Sequence, residues 1–274
     1  MKTLQKHLFK LLFLAIASSV SFGSQADDKL EKIVAGKHRT ESYAARDNYR
    51  NPVETLKFFG IKDNMTVVEI SPGGGWYTEI LAPYLKDNGT YIAAGYDPES
   101  KSDYYKRGAL SYKKKLDANP ELYGKVKLGI MEAPDKMDFA APNSADMIVT
   151  FRNTHNWNSS GNSEVVFAAM FKALKPGGIL GLVQHRAGHN FPKDTSGKMG
   201  YLRQDKVIEM AEAAGFRLID KSDVNANPKD TRDHEAGVWT LPPVLRLKEK
   251  DKEKYMAIGE SDRMTLKFVK PEAK

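Results

Sequence analysis

The sequence predicts an α/β fold, an open sheet with helices, and three features carry that prediction. Short apolar or β-branched runs recur along the chain, separated by stretches with helical periodicity. The first of these, Val67 to Ile70, passes through Ser71-Pro72 into Gly73-Gly74-Gly75 and then into a helix expected from Trp76. In an open α/β sheet such a turn lies outside the carboxyl end of its strand, where ligands bind. Leu174-Lys175-Pro176-Gly177-Gly178 stops another helix ahead of another apolar run, because proline and glycine end helical pairing.

Ahead of the first strand, Leu30 to Phe59 reads as helix in pieces, with Asn51 as a cap and Pro52 at the first helical position of Pro52 to Phe59. The segment 27–60 is expected to form a brace or lid. Thr90 to Ala94 is a second strand, leading into Gly95-Tyr96-Asp97-Pro98, and Val126 to Met131 is a third. A fourth, buried strand, Ala145 to Phe151, opens into the polar run Arg152-Asn153-Thr154-His155-Asn156 and Trp157. Val166, Ala169, Met170, Ala173 and Leu174 share one helical face, and Ile179 to Gln184 follows as a fifth strand. Val207, Ile208, Ala211 and Ala214 mark a helix closed by Gly215, and Phe216 to Val224 is a sixth strand. Arg263 to Val269 alternates as a seventh. The intervening stretch 225–261 is far longer than an ordinary loop, so it is expected to be functional or partly helical. Its Lys248 to Lys254 alternates in charge and reads as an exposed helix.

Glycines without a Cβ let the backbone take positive φ and lie against a bound molecule, while the following helix points free N–H groups at the same place. A dinucleotide fingerprint needs a small last glycine, and here Trp76 or Thr78 would stand there, which disfavours a nicotinamide oxidoreductase. The run instead resembles the first motif of class I S-adenosylmethionine (SAM)-dependent methyltransferases, acidic-x-Gly-x-Gly-x-Gly, with Glu69, Ser71, Gly73 and Gly75 at the marked places and Gly74 between the last two. Ser71 departs from the pattern, since serine disfavours the positive φ that glycine permits.

The resemblance implies a three-layer Rossmann-like fold, with a seven-stranded, mainly parallel sheet, one antiparallel strand beside the sixth, and helices on both faces. It covers about Val53 to Lys270, with a methyltransferase-like domain at 61–270 and the insertion at 225–261. It implies SAM as cofactor, with Asp97 taking the ribose hydroxyls and Met131 and Glu132 flanking the adenine. More narrowly, the chain resembles the exported bacterial group catalogued as predicted methyltransferases.

Lys2, Lys6 and Lys10 precede an apolar stretch, Leu11 to Val20, and Ser24-Gln25-Ala26 offers small residues to a signal peptidase. A signal peptide 1–26, cut after Ala26, would place the protein in the periplasm or outside the cell, with no stable membrane insertion, because the apolar core is shorter than the ~20 residues a span requires. Removal of its three lysines takes the net charge from +7 to +4 over 248 remaining residues, enough for one α/β domain. With no basic stripe, no nucleic-acid partner is expected, and Lys113-Lys114-Lys115 reads as a solvated helix face. Cysteine is absent, so thiolate metal sites and disulfides are excluded. Oligomeric state is not encoded in any of these features.

Methyl transfer from a sulfonium is an in-line displacement, and the protein supplies positioning and a base where the nucleophile carries a proton. Imidazole suits that task near neutral pH. His155 at the fourth strand tip, His234 with neighbouring Asp233 in the insertion, and His185 after the fifth strand are the candidates, each equally readable as a structural histidine. Trp157 and Trp239 are candidates for acceptor-pocket walls or for plain core. Arg39, Arg46, Asp47 and Arg50 either face the cofactor's carboxylate or form a salt-bridged solvated surface. His185 and His189 stand four apart, but Gly188 between them argues for a loop, and no metal is expected. No Gly-x-Ser-x-Gly hydrolase elbow is present. The expectation is a SAM-dependent methyltransferase acting on a small-molecule acceptor. The alternative is an exported ligand-binding protein of the same fold without methyl transfer, favoured by the fact that SAM is made in the cytoplasm.

Overall fold

The computed structural model describes residues 22–188 and 196–272, with side chains from residue 28 onward. All seven expected runs form strands of one sheet: β1 Thr66–Ile70, β2 Thr90–Gly95, β3 Lys127–Ile130, β4 Ala145–Phe151, β5 Leu174–His185, β6 Arg217–Ser222 and β7 Arg263–Val269. Their spatial order is β3-β2-β1-β4-β5-β7-β6. The first five are parallel, and β7 runs antiparallel to both β5 and β6. Strand order reverses between β1 and β4, the switch point at which an open sheet leaves a crevice beyond its carboxyl edge.

Helices α1 Phe22–Val34, α2 Glu41–Ala44, α3 Asp47–Arg50 and α4 Pro52–Phe59 precede the sheet. Helices α5 Thr78–Leu85, α6 Asp103–Asp117, α7 Pro120–Tyr123, α8 Thr154–Ser159, α9 Ser163–Ala173, α10 Gln204–Ala213 and α11 Lys252–Ile258 connect the strands, with a 3-10 turn at Gly237–Thr240. The period-two alternation of β1 divides them between two faces. Val68 and Ile70 meet Val166, Phe167 and Met170 of α9 and Val207 of α10, whereas Val67 lies with Leu56 and Phe59 of α4 and Ile80 and Leu81 of α5. Each such fully buried aliphatic or aromatic side chain contributes about 1.5–3 kcal/mol. The sheet is therefore the middle layer of three.

Several local expectations are corrected. Asn51 makes no side-chain cap; it sits at φ 40° and donates its amide to Val224 O at 2.7 Å, while Pro52 does open α4. The helix expected from Trp76 begins at Thr78. Leu174 to Gly178 is the bulged start of β5 rather than a separate turn, because Leu174 already pairs with Ala145. The charged helix of the insertion is displaced to Lys252–Ile258, since Lys248 and Asp251 adopt positive φ of 55° and 54°. Of the expected signal peptide, residues 1–21 lie outside the described residues, and Phe22 to Ala26 form the start of α1. Among the described residues no helix is long and apolar enough to cross a membrane.

Candidate functional site

The turn after β1 is built from alternating left-handed residues: Ser71 at φ 57°, Gly73 at 58° and Gly75 at 81°. Ser71 thus takes the glycine-like conformation despite its Cβ, a strain of about 1–2 kcal/mol. Two interactions hold it there. Its N–H donates to Ala94 O at 2.8 Å, and the Asn153 side-chain amide donates to Ile70 O at 3.1 Å and Ser71 O at 3.3 Å. A Cβ added at Gly73 would meet nothing within 4 Å, so this part of the turn borders open space. Gly74 is roofed by the N-terminal segment: the Tyr43 hydroxyl donates to Gly74 O at 3.0 Å, and the Trp76 indole donates to Tyr43 O at 2.9 Å.

Glu69 faces into the sheet rather than toward the turn. It shares the Val67 side of β1 and accepts from the Tyr91 hydroxyl at 2.5 Å, in a network continued through Thr78 and Tyr112. Burial pushes its carboxyl up to about 7, against the opposing pull of Tyr91 and Arg152. Asp97, beyond β2, accepts from Glu99 N–H at 2.8 Å and is ion-paired with Lys136, which holds its carboxyl below the usual range. Glu132 accepts from Ser100 Oγ at 2.7 Å and from Asp97 N–H at 3.3 Å, closing the loop after β2. Met131 is buried, its N–H donating to Gly95 O at 2.6 Å and its sulfur 3.9 Å from Ser71 Oγ. Ser71, Asp97, Met131 and Glu132 therefore gather at three adjoining strand tips.

Across the switch point, His155 is buried at the start of α8 with Nδ1 3.3 Å from Gln184 Oε1. Its ring lies 5.6 Å from that of His185 and 6.1 Å from that of Trp239, which the insertion supplies. Burial lowers its pKa to about 4, so the imidazole is neutral near pH 7 and offers a hydrogen-bond acceptor. His185, 2.5 Å from Ser261 Oγ, is likewise held neutral, chiefly by burial and then by the neighbouring His155 and Arg263.

His234 is not oriented by Asp233. Its Nε2 lies 2.8 Å from Asp230 Oδ1, while Asp233 accepts from Thr231 Oγ1 at 2.6 Å. Asp230 also accepts from the Tyr201 hydroxyl at 3.0 Å and from Asp262 N–H at 2.7 Å, so this histidine belongs to a buried network that fastens the insertion. Trp157 is core, edge-on to Phe167 at 6.1 Å. His189 lies outside the described residues. Among the described residues no group of three or more His, Cys, Asp or Glu side chains is arranged to hold a metal.

The arginines ahead of the sheet are not a solvated surface. Arg39 and Arg50 are buried and stack on Trp76 at 5.0 and 4.7 Å, with Arg39 paired to Asp47 at 3.1 Å. Arg46 and Arg50 instead reach Glu260, at 2.5 and 3.5 Å. Arg152, Asn153, Gln184, Glu260 and Arg263 escaped the sequence reading as site residues. The polar run after β4 was the only available pointer, since nothing local links residue 50 to residue 260.

No family model matches the chain, and no curated protein does. Solved structures do resemble it. A SAM-dependent methyltransferase from Aquifex aeolicus is 15% identical over 89% of this chain and 98% of its own, with a TM-score of 0.55. The [4+2]-cyclase SpnF is 15% identical over 92% and 95%, with a TM-score of 0.58. Phosphoethanolamine N-methyltransferase 2 of Haemonchus contortus, seen with phosphomonomethylethanolamine and S-adenosylhomocysteine, is 18% identical over 82% of this chain and 53% of its own, with a TM-score of 0.54. One of these three is named for cyclisation, so the likeness concerns architecture and not reaction. The chain has the Rossmann-like fold of class I SAM-dependent methyltransferases.

Proposed function

We propose that the protein is a SAM-dependent methyltransferase that acts on a small-molecule acceptor outside the cytoplasm. The carrying observation is the left-handed turn of Ser71, Gly73 and Gly75, open at Gly73 and adjoining the Asp97 and Met131 tips. In this reading the turn's backbone and Ser71 hold the methionine part of SAM, Asp97 takes the ribose, and Met131 and Glu132 border the adenine. SAM bound there supplies an electrophilic methyl group. His155, neutral and beside Trp239, takes a proton from the acceptor as the new bond forms; His185 is positioned to hold His155 or the acceptor in place. The neighbours named for SAM-dependent and N-methyl transfer support the same reading, and the N-terminal lysines and apolar stretch support export.

Calorimetric titration with SAM tests it. Binding of roughly micromolar strength, weakened at least tenfold in Gly73→Val and in Asp97→Ala, is the expected result. Folded protein that takes up no SAM at millimolar concentration sinks the proposal. One observation favours the second reading, an exported binding protein without methyl transfer: the Asp97 carboxylate is already engaged by Lys136 and Glu99. Methyl transfer by the wild type, lost in a His155→Asn variant that still binds SAM normally, separates the two.

A further inference from the structure

Beside the two histidines the protein concentrates positive charge that its own carboxylates do not neutralise. Arg50 of α3, Arg152 after β4 and Arg263 at the start of β7 line one crevice with Tyr77 and Asn225, walled by Phe151. Arg46 joins them through a shared acid. Three of these guanidinium groups converge on Glu260: Arg46 Nε at 2.5 Å, Arg50 Nε at 3.5 Å, and Arg263 Nη2 in direct contact. The fourth, Arg152, makes no hydrogen bond or ion pair from its guanidinium to any described residue. Four cations thus share one close carboxylate, with Glu69 the next acid to feel Arg152.

Two further donors point the same way. Arg263 is 3% exposed; its Nη1 donates to Tyr49 O at 2.8 Å and its Nη2 meets Glu260. Its Nε is buried with no hydrogen-bond partner, as is the side-chain oxygen of Asn225 in the same crevice. The Tyr77 hydroxyl, in a side chain 4% exposed and stacked on Phe151 at 3.5 Å, has no partner among the described residues. Burying a donor of a guanidinium without an acceptor is costly, and where several guanidinium groups crowd one carboxylate an anion offsets both the missing acceptor and the repulsion. Repulsion is already expressed in the pKa values: burial first, then Arg152, lowers Arg50 to about 8. Glu260 is driven to about 2, because Arg263, Arg50 and Arg46 outweigh its burial, so it stays ionised and its capacity is spent.

The crevice measures about 10 Å³, space for roughly one water, between a flat ring stack and Val183. One oxygen of a carboxylate can take the place of that water, where it would meet the guanidinium groups. Its walls come from β4, β5 and β7, from Arg50 of α3, from Asn225 beyond β6, and from Tyr77 between the glycine turn and α5, so it adjoins the β1 tip as well as the β4 and β5 tips. His185 stands directly opposite Arg263 in the β5–β7 pairing, so the charge lies next to the histidine pair.

We propose that Arg50, Arg152, Arg263 and Tyr77 form a carboxylate-binding subsite that anchors an acidic acceptor with its methyl-accepting atom toward His155. The assignment of this ligand as an acceptor rests on the methyl-transfer reading; the anion site does not.

The test titrates the full chain calorimetrically with succinate, with neutral succinamide, and with two cofactor products, S-adenosylhomocysteine and 5′-methylthioadenosine, which lacks a carboxylate. Saturable binding of succinate but not succinamide is expected, weakened at least tenfold in Arg152→Met and largely kept in Arg152→Lys. Affinity for S-adenosylhomocysteine should stay within twofold in both variants. Equal behaviour of succinate and succinamide overturns the subsite, as does preferential binding of inorganic phosphate over succinate. Loss of S-adenosylhomocysteine affinity in Arg152→Met, with 5′-methylthioadenosine spared, overturns the acceptor assignment by giving the arginines to the cofactor's own carboxylate. Succinate binding without any S-adenosylhomocysteine binding upholds the subsite while removing methyl transfer.

Discussion

The two halves of the sheet's carboxyl edge are finished differently. At the β1, β2 and β3 tips the acids are matched: Asp97 with Lys136, Glu132 with Ser100, and Glu69 with Tyr91. At the β4, β5 and β7 tips Arg46, Arg50 and Arg263 converge on Glu260, and the buried Nε of Arg263 lacks an acceptor. The contrast teaches that the first half is a preformed cradle made by backbone, whereas the second is a charged pocket whose balance requires something from outside the chain. An interior tolerates such imbalance only where neighbouring packing over-determines it.

The sharpest way to break this comparison is to remove the acid on which those arginines converge. Glu260→Gln keeps the shape and leaves three guanidinium groups facing one another, so urea denaturation should register a loss of about 3–5 kcal/mol. A loss below 1 kcal/mol would show that the cluster is solvated and ordinary.

A pH experiment separates the halves by sign. His155 is depressed from 6.5 to about 4, so between those values the unfolded chain binds the extra proton and folding weakens as pH falls. Glu69 is raised from 4.5 to about 7, so its contribution is present at low pH and fades as pH rises through that interval. The wild type should therefore lose up to about 3 kcal/mol relative to His155→Gln between pH 6.5 and 4. Relative to Glu69→Gln, whose side chain stays neutral throughout, it should lose stability as pH rises. Parallel curves for wild type and either variant would refute the corresponding burial argument.

The smallest effect probes the matched half. Lys136→Ala frees the Asp97 carboxylate for a ribose, and SAM affinity measured by calorimetry should rise on the order of a few-fold, as befits an exposed partner. Unchanged or weaker binding would mean that Lys136 helps the cradle rather than competing with it.

The same division explains what could be read from residues alone. β4 Ala145–Phe151 and β7 Arg263–Val269 were legible to the residue, because apolar runs and alternation report burial directly. The cradle was legible because its parts follow one another in order along β1, β2 and β3. Ser71 stood out as a departure from pattern, and its φ of 57° shows that the clamp from Asn153 outweighs intrinsic preference. The charged half was not legible, since Arg50, Arg152, Glu260 and Arg263 come from segments up to about two hundred residues apart and become neighbours only through strand order. His234 misled for the related reason that adjacency in sequence suggested Asp233, while the loop's path brings Asp230 to the ring instead.

Because β7 runs against its neighbours, it is the first residue of that strand, not the last, that reaches the ligand edge: Arg263 pairs with His185 and Val269 with Ile179. The polypeptide therefore leaves the sheet on the opposite rim from the cleft. A fluorophore or surface linker attached at Glu272, which is exposed, would stand clear of ligand entry, and protein tethered there should report binding undisturbed by its attachment.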